Sequence, residues 1–457
     1  MPKTTDRPTL ESLETWLDAH DVRYHKLGVF DTDGILRGKY VDRNKFLSVA
    51  SSGLGFCDVV LGWDSNDTLF DNTKASGWHT GYRDAPVKLD LSTIRHIPFE
   101  EKTVLVIGGF TGDYAGVCAR GTLERVLELG RTLGFEAKAA LEYEFFLFDE
   151  TPESVRAKGY KNLKPLTPGM FGYSMLRSSV HAELHRDIID TMHAMDCDIE
   201  GLHTETGPGV IEAAIGVDSA LRAADKGALF KTFMKVIAQR RGLMATFMAK
   251  WSEKYPGQSG HIHVSLLDAK TGEPAFHDPN GRHCMSKTME SFVAGQVKYM
   301  PEALAMVCST INAYRRMVPG MWAPTAAHWG VENRTTALRV IPGGAKSQRS
   351  EYRIGPADAN PYLGLAAAIG TGLLGIEEGL TLGEPVIGSA YDMPFTPASA
   401  LPTTLKEAAD RFSGSAAMRK LFGDAFVDHY AATRYWEDRE FRKYVADWDL
   451  MRYFEII

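Results

Sequence analysis

ALEYEFFLF, residues 140–148, is the stretch from which the fold of this chain can be predicted. Its aromatic and aliphatic residues predict a buried β-strand, yet it carries two glutamates, Glu142 and Glu144. Because side chains alternate along a strand, both glutamates point to one face, while Tyr143 and Phe145 point to the other. Two neighbouring carboxylates on a buried face repel each other and are costly to remove from water. A divalent cation between them would remove that cost, whereas the simpler interpretation is a half-exposed strand with its acids in water.

Three later segments repeat this placing of acids and imidazoles on one face. A Gly-Pro-Gly turn separates Glu205 from Glu212, so both carboxylates can be directed at one place. His261 and His263 occupy alternate positions of a predicted strand, and Glu351 lies between two arginines at the same spacing. Taken singly, such a histidine is usually structural, and an Arg-x-Glu-x-Arg ladder usually lies on the surface. Together, oxygen-rich sets with one imidazole are typical of Mg²⁺ or Mn²⁺ and not of Zn²⁺.

Cationic side chains are concentrated between residues 315 and 353. Clustered cations beside a carboxylate-bound metal indicate phosphates and carboxylates as ligands. The sequence contains neither a P-loop nor a Rossmann glycine fingerprint, so a nucleotide would be bound by a different structural element. The cationic residues are Arg315, Arg316, Arg334, Arg339, Lys346, Arg349 and Arg353.

Composition and charge exclude several classes of function. The chain has 457 residues, 44% hydrophobic and 24% charged, with a net charge of −7, which is typical of a soluble globular protein of two domains. No basic run indicates a nucleic-acid partner. The weakly polar run at 363–376 is too short and too rich in glycine to span a membrane, and the N-terminus has no apolar signal core. Five scattered cysteines without a CxxC pair predict a reduced, cytoplasmic compartment and no cysteine-based metal site.

The order of the predicted elements indicates an α+β chain. Helical periodicity with a stop at Gly134 predicts a helix over 122–134, with Thr122 as its possible N-cap. Asp33-Gly34 between two apolar runs predicts a hairpin. Strand-like segments continue to about residue 110, and residues 1–105 are interpreted as a small β-rich domain. A long loop at 151–170 and further helices at 9–19, 179–195, 219–242 and 286–309 complete the prediction.

Nine motifs, in order along nearly the whole chain, are similar to those of the glutamine synthetase family. The motifs are DGILRGK (33–39), EYEFFLF (142–148), HTETGPGVIE (203–212), GHIHVSL (260–266), YRRMVPG (314–320), NRTTALRVI (333–341), RSEYR (349–353), ANPYL (359–363) and DWDLMRYF (447–454). Tyr391, in AYDMP, also resembles a tyrosine that is nucleotidylated in some bacterial members.

The resemblance implies a fold and an assembly. A small β-grasp-like N-terminal domain over 1–105 would precede a large catalytic domain over 106–457, built on a curved antiparallel sheet with flanking helices. Members of the family are homo-oligomeric rings, commonly dodecamers of two hexamers. In such a ring the N-terminal domain of a neighbour completes each site, so that residues 55–65 would reach across.

The resemblance also implies the ligands and the residues that hold them. Two or three Mg²⁺ or Mn²⁺ ions, ATP and glutamate would bind in a funnel-like site, and Arg334 would lie over the transferred phosphoryl group. One metal, beside the acceptor carboxylate, would have the ligands Glu144, Glu205 and Glu212; the other, on the nucleotide phosphates, would have Glu142, His261 and Glu351. ATP would contact Glu200, His263, Ser265, Arg339, Lys346 and Arg349, and glutamate would contact Gly257, Arg316 and Arg353.

One departure from the family pattern concerns the amine. Glutamine synthetases proper carry a glutamate two residues past the glycine of RxxVPG, which closes the site and helps to take a proton from ammonium, whereas this chain has Trp322 there. An indole offers a π face and apolar area instead of negative charge. The sequence therefore predicts a ligase that joins glutamate to a primary alkyl- or arylamine. Asp58 is the candidate base, and Tyr173 resembles another residue of the amine pocket.

Other departures lie near the acceptor. Pro256-Gly257 replaces the Asn-Gly of the family, and Val210 replaces a glutamine, so the acceptor could differ from glutamate, although Arg316 and Arg353 favour a carboxylate. Trp322 could also simply pack a closed flap, while a nearby acid takes the proton from ammonium in place of the family's flap glutamate. The alternatives that stay open are an ammonia-using glutamine synthetase, a non-catalytic structural or regulatory ring, and a kinase that stops at phosphorylation.

Overall fold

The computed structural model describes residues 6–394 and 396–457. Its N-terminal part forms a five-stranded sheet in the order β2-β1-β5-β4-β3, in which β1 and β5 are parallel and the other pairs antiparallel. A separate apolar core lies between this sheet and two helices. The elements, numbered in chain order, are α1 (Leu13–Ala19), β1 (Tyr24–Phe30), β2 (Leu36–Val41), α2 (Arg43–Ser52), β3 (Leu54–Cys57), β4 (Asp84–His96) and β5 (Thr103–Phe110).

A nine-stranded, curled half-barrel sheet forms the larger part of the chain. Its strands are β6 (Phe135–Phe148), β7 (Ile199–Thr204), β8 (Val210–Ile215), β9 (Asp218–Ser219), β10 (Met244–Thr246), β11 (Gly260–Asp268), β12 (Trp329–Val331), β13 (Leu338–Ile341) and β14 (Arg349–Tyr352). The order is β12-β13-β14-β11-β6-β8-β7, with β9 and β10 also paired to β6, and all pairs except β12–β13 are antiparallel.

Helices pack around this sheet and enclose the main apolar core. None of the helices within residues 6–394 and 396–457 is both long and apolar enough to cross a bilayer. The helices are α3 (Ala119–Thr132), α4 (Pro152–Ala157), α5 (Met175–Val180), α6 (Ala182–Ala194), α7 (Ala220–Arg240), α8 (Lys287–Val307), α9 (Pro361–Glu377), α10 (Leu405–Gly414), α11 (Ala416–Phe422), α12 (Asp424–Phe441) and α13 (Asp447–Tyr453).

Strand β6 lies at the centre of the large sheet, between β11 and β8. Its odd-numbered residues face the core: the rings of Tyr143 and Phe145 pack on Phe230 of α7, with centroids 6.2 and 5.9 Å apart. Glu142 and Glu144 face the opposite side, where a cavity opens. The predicted strand and its division into an aromatic face and an acidic face are therefore confirmed.

Several predicted boundaries were wrong in detail. Helix α3 begins at Ala119 because the Sγ of Cys118 accepts the Gly121 backbone N–H at 3.3 Å, so Cys118 is the N-cap and Thr122 is not. The predicted helix 179–195 is two helices, α5 and α6, because the backbone leaves helical geometry at His181. The predicted loop 151–170 contains α4, which Thr151 caps. All three depend on local cap geometry that apolar periodicity does not report.

The predicted hairpin turn at Asp33-Gly34 connects the two parts of the chain. Gly34 has a φ of +81°, in the left-handed region that favours glycine. The Asn360 side chain donates to the Thr32 carbonyl at 3.0 Å, and the buried Arg434 guanidinium donates to the Asp33 carboxylate at 2.9 Å. The five-stranded sheet extends past the predicted boundary at residue 105, and the division into domains 1–105 and 106–457 stays a prediction.

Replacing Arg434 is expected to destabilise the chain strongly. Loss of one partner of a buried ion pair leaves the other charge uncompensated, at a cost of about 3–5 kcal/mol. Arg439 also lies on α12 and pairs with an N-terminal aspartate, Asp71, but that pair is exposed. Arg439→Met should therefore cost no more than about 1 kcal/mol. Urea unfolding of Arg434→Met and Arg439→Met measures both; equal midpoints for the two variants would contradict the prediction.

Candidate active site

A cavity of about 550 Å³ opens on the acidic face of the large sheet. It is lined by β6, by β8 and the turn before it, by β11, β13 and β14, and by the segments around Gly257 and Trp322. The structure thus brings together most of the residues predicted from sequence. Those that line the cavity are Glu142, Glu144, Tyr173, Glu205, Glu212, Gly257, His261, Trp322, Arg334, Arg339, Glu351 and Arg353.

The pairing register of the sheet brings together acids and imidazoles that are far apart in sequence. Side chains of directly opposite residues on one face of an antiparallel pair lie about 5 Å apart at their Cβ atoms, within reach of one small ion. A slip of one residue would turn every one of these side chains to the opposite face. The opposite pairs are Glu142 and His261, Glu144 and Glu212, and Glu351 and His263.

One group of possible metal ligands forms on β6, β11 and β14. Oxygens of Glu142 and Glu351 and a ring nitrogen of His263 all lie within 4.8 Å of one another. His261, the imidazole predicted as a ligand, has its Nδ1 3.3 Å from Glu142 and 3.5 Å from Glu351, and its buried Nε2 has no hydrogen-bond partner within the described ranges. Both imidazoles of the His-x-His motif therefore adjoin the same carboxylates.

A second group lies on β7, on β8 and on the turn between them. Glu205 and Glu212 are joined there by His203, whose Nε2 lies 3.1 Å from Glu205 and 3.8 Å from Glu212. Sequence reasoning missed His203, although it alternates with Glu205 in the same way as the two glutamates of β6. The predicted third ligand, Glu144, is held on its other side by the backbone N–H of Ser259.

Two of the acceptor-side carboxylates, Glu144 and Glu212, would carry when ionised more negative charge than the protein around them compensates. Burial raises the pKa of Glu144 to about 7, and the neighbouring Glu205 adds to this shift. Burial also raises the pKa of Glu212 to about 9, helped by the charges of Glu144 and Glu142. Divalent cations held by these oxygens would neutralise that charge, so the donor set fits Mg²⁺ or Mn²⁺.

Glu142 and Glu351 differ, because imidazole and guanidinium groups already surround them. Burial acts to raise the pKa of Glu142, but hydrogen bonds from His261 and His263 outweigh it and hold that pKa well below its usual range. Burial is likewise outweighed at Glu351, where the charges of His261 and then Arg353 lower the pKa to about 2. These two carboxylates are therefore ionised and available to a cation across the physiological pH range.

Arginines form another part of the cavity wall. Arg339 donates to Glu351 at 3.0 Å, and Arg353 pairs with the other oxygen of that carboxylate. Arg316 lies behind the wall, fully buried, and donates to the Ile354 carbonyl at 3.0 Å and to the Ser259 hydroxyl at 2.9 Å. Such fixed cations suit phosphate and carboxylate groups of a ligand.

Gly257 is required at the edge of the cavity because of close packing. A Cβ added there would lie 2.6 Å from the Ala249 carbonyl oxygen and 2.7 Å from the Arg316 Cγ. Any larger residue would displace Arg316, and the backbone of Gly257 is left facing the cavity. This position suits the backbone contact with glutamate that the resemblance implies.

The remaining predicted ATP contacts do not line the cavity. Arg349 reaches it indirectly, because its Nε donates to the His263 Nδ1 at 3.2 Å. Ser265 is half-buried farther along β11, and Lys346 and Glu200 are exposed. The nucleotide-binding role of these residues stays a prediction.

Asp58 lies apart from the cavity, in the N-terminal part of the chain. It is fully buried, and its carboxylate accepts hydrogen bonds from the hydroxyls of Ser76, Thr80 and Tyr114 at 3.2, 3.2 and 3.0 Å. Within one chain it therefore cannot act on a ligand in the cavity. Its role as a base contributed to a neighbouring subunit stays a prediction.

Apolar side chains line part of the cavity, and one of them belongs to the flap, which we define as residues 318–323. Trp322 projects from the flap with 55% of its surface exposed, and Phe146, Val210 and Pro256 line the same cavity. The Tyr173 ring stacks on His203 at 4.5 Å. No acidic residue occurs in the flap.

Comparison with known proteins decides the family. The sequence model of the glutamine synthetase catalytic domain matches residues 116–453. The chain belongs to the glutamine synthetase family. The predicted family is thereby confirmed, and so is the predicted enzyme class, because this is a family of ligases.

Three curated relatives in the glutamine synthetase family cover most of the chain. It is 44% identical to type-1 glutamine synthetase 2 of Dictyostelium discoideum, over 94% of this chain and 84% of the relative. It is 36% identical to the glutamate–isopropylamine ligase of a Pseudomonas species, over 97% of each chain. It is also 36% identical to the gamma-glutamylethanolamide synthetase GlnA4 of Streptomyces coelicolor, over 98% of this chain and 96% of the relative.

A solved structure confirms the fold. Apo GmaS without ligand superposes with a TM-score of 0.83 over 97% of this chain and 99% of that chain, at 22% identity. The predicted glutamine-synthetase-type fold, with mixed helices and a curved sheet, is therefore confirmed.

Proposed function

We propose that this protein ligates the γ-carboxylate of glutamate to a primary amine, using ATP, and releases a γ-glutamylamide, ADP and phosphate. The observation that carries the proposal is Trp322, which lines the cavity from a flap without an acid; Val210 and Phe146 line the same cavity. Relatives that act on isopropylamine and that form γ-glutamylethanolamide support the same choice.

Two or three Mg²⁺ or Mn²⁺ ions would be held by the two clusters of metal ligands in the cavity, one on the phosphate side and one on the acceptor side. When bound, such ions neutralise charge on phosphate oxygens during phosphoryl transfer. The ligands on the phosphate side would be Glu142, Glu351 and His261, adjoined by His263, and those on the acceptor side would be Glu144, Glu205 and Glu212, adjoined by His203.

The arginines and glycine of the cavity would orient the two substrates. Arg353 and the Gly257 backbone would contact glutamate at the cavity wall, and Arg316, which is buried behind that wall, is the third proposed contact. Arg339 and Arg334 would face the phosphates of ATP. An oxygen of the γ-carboxylate attacks the γ-phosphorus, and ADP leaves. The amine nitrogen then attacks the acyl carbon of γ-glutamyl phosphate, and phosphate leaves. Fixed cations stabilise the charge that collects on the equatorial oxygens.

The amine must lose a proton before or during its attack. A free alkylamine has a pKa near that of lysine, about 10.4, and is protonated at pH 7. Asp58 of a neighbouring subunit is the proposed base, in a cytoplasmic ring of twelve subunits whose N-terminal domains, residues 1–105, complete the adjacent sites. Because Asp58 is buried within its own chain, this role requires that assembly expose its carboxylate to the amine. In this arrangement Tyr173 and Trp322 would form the walls of the amine pocket.

An ammonia-using glutamine synthetase is the second candidate. The 44% identity to type-1 glutamine synthetase 2 favours it. The two candidates differ in what the flap must supply. Negative charge strengthens the binding of ammonium, whereas apolar area strengthens the binding of an amine with a hydrocarbon part. Burial of each methylene contributes about 0.8 kcal/mol.

Phosphate release in the presence of ATP, glutamate and Mn²⁺ or Mg²⁺ tests the proposal. The panel comprises ammonia, isopropylamine, ethanolamine, putrescine and aniline, with controls that omit glutamate or the amine. We expect kcat/KM for at least one organic amine to exceed that for ammonia by about tenfold or more, since two methylenes contribute about that factor. A wide margin in favour of ammonia would refute the amine proposal. Steady ADP release without amine would instead indicate a kinase.

A further inference from the structure

The segment that we call the strap, residues 386–391, is bonded to a turn that bears a cavity residue. The Asn333 side-chain amide donates to the Gly388 carbonyl at 2.8 Å and to the Val386 carbonyl at 3.3 Å. The Ala390 backbone N–H donates to the Thr335 hydroxyl at 2.9 Å. Arg334, which lines the cavity, lies between these two anchor residues.

The other end of the strap is bonded to the flap. The Tyr391 hydroxyl donates to the Ala323 carbonyl at 3.2 Å, one residue beyond Trp322. Ser389 accepts the Tyr391 backbone N–H at 3.3 Å, which holds the end of the strap in a short helical turn. Tyr391 is half-buried, and burial raises the pKa of its phenol, so the hydroxyl remains a hydrogen-bond donor.

The conformation of the flap itself gives a reason for this bond. Trp322 has a φ of +60°, which is unfavourable for a bulky residue, and more than half of its surface is exposed. The hydrogen bonds within the flap region run from the Val318 N–H to the Arg316 carbonyl and from the Met321 N–H to the Val318 carbonyl, and neither includes Trp322. Its backbone geometry therefore depends on anchors from outside, of which the Tyr391 bond to Ala323 is one.

We propose that Tyr391 is a positioning residue for the amine: its hydroxyl holds the flap so that the Trp322 ring faces the cavity. The strap at the same time holds the turn of Arg334, so it fixes the amine pocket relative to the arginine that faces the phosphoryl group. This inference rests on the proposed function for its effect on catalysis. The hydrogen bond from Tyr391 to the flap does not depend on which amine is the substrate.

Tyr391→Phe removes the hydroxyl and keeps the ring. With whichever nitrogen substrate the panel identifies, we expect the amine KM to rise about three- to tenfold, as for the loss of one hydrogen bond, with kcat and the KM for ATP unchanged. Hydrogen exchange of the peptide that spans residues 317–325 should accelerate in the absence of substrates. Tyr435→Phe is the matched control, because it removes a half-buried hydroxyl that bonds Ser413, away from the cavity.

The same substitution made in the Trp322→Ala variant distinguishes a positioning role of Tyr391 from a general structural role. If Tyr391 acts through Trp322, Tyr391→Phe will add nothing to the amine KM of Trp322→Ala, since the two residues then form one unit. Full additivity, an equal change in the KM for ATP, or flap exchange no faster than in Tyr435→Phe would each overturn the proposal. Because exchange is measured without substrates, fast flap exchange in an enzyme that prefers ammonia would refute the amine function and leave the positioning by Tyr391 intact.

Discussion

Glu142→Gln is expected to lower kcat about a thousandfold and to abolish most of the thermal stabilisation by Mn²⁺. The substitution keeps the size of the side chain and removes one anionic ligand from the phosphate-side group, in which Glu142 adjoins His261, His263 and Glu351. Metal ions contribute several kcal/mol of charge stabilisation to such transition states, and each 1.36 kcal/mol is a factor of ten. A ligand at a hundred times its Kd stabilises the native state by about 2.7 kcal/mol.

Glu136→Gln is the matched control, because Glu136 lies on the same strand, undergoes the same loss of charge and is exposed outside the cavity. Thermal unfolding with EDTA and with Mn²⁺, measured beside phosphate release, separates a folding defect from a metal defect. If Glu142→Gln kept both the Mn²⁺-dependent rise in Tm and more than a tenth of the activity, the assignment of the metal group would be wrong.

Trp322→Glu is expected to shift the preference from an organic amine toward ammonia by about 50- to 100-fold in the ratio of kcat/KM values. Loss of the indole face removes the burial of about three carbon groups, at about 0.8 kcal/mol each, which corresponds to about fiftyfold. The new carboxylate adds attraction for ammonium at the flap position. Both terms change the ratio in the same direction, and the amine panel measures it directly.

Trp322→Gln separates the effect of lost apolar area from the effect of added charge, because it removes the same apolar area without adding charge. We expect this variant to lose the organic amine as Trp322→Glu does, but not to gain ammonia. Unchanged selectivity in both variants would show that Trp322 only packs the flap, and that another residue selects the nitrogen substrate.

Much of the candidate site could be predicted from sequence, because its signals are short-range. The alternation of Glu142 and Glu144 along β6, and of His261 and His263 along β11, determines which face each side chain takes once a strand forms. The replacement of the family's flap glutamate by Trp322 is also visible in the sequence alone. The ordered motifs were sufficient to predict the family and the fold class, both of which the comparisons confirm.

What only the tertiary structure decided depends on pairing register and on contacts between distant segments. Register places both Glu144 and His203 opposite Glu212, which no local pattern specifies. Likewise, the burial of Asp58 under three hydroxyls and the bond of Tyr391 to the flap arise from segments brought together by folding. Periodicity reports the direction of a side chain from its own backbone, whereas its neighbours across a sheet or a loop are set by the packing of the whole chain.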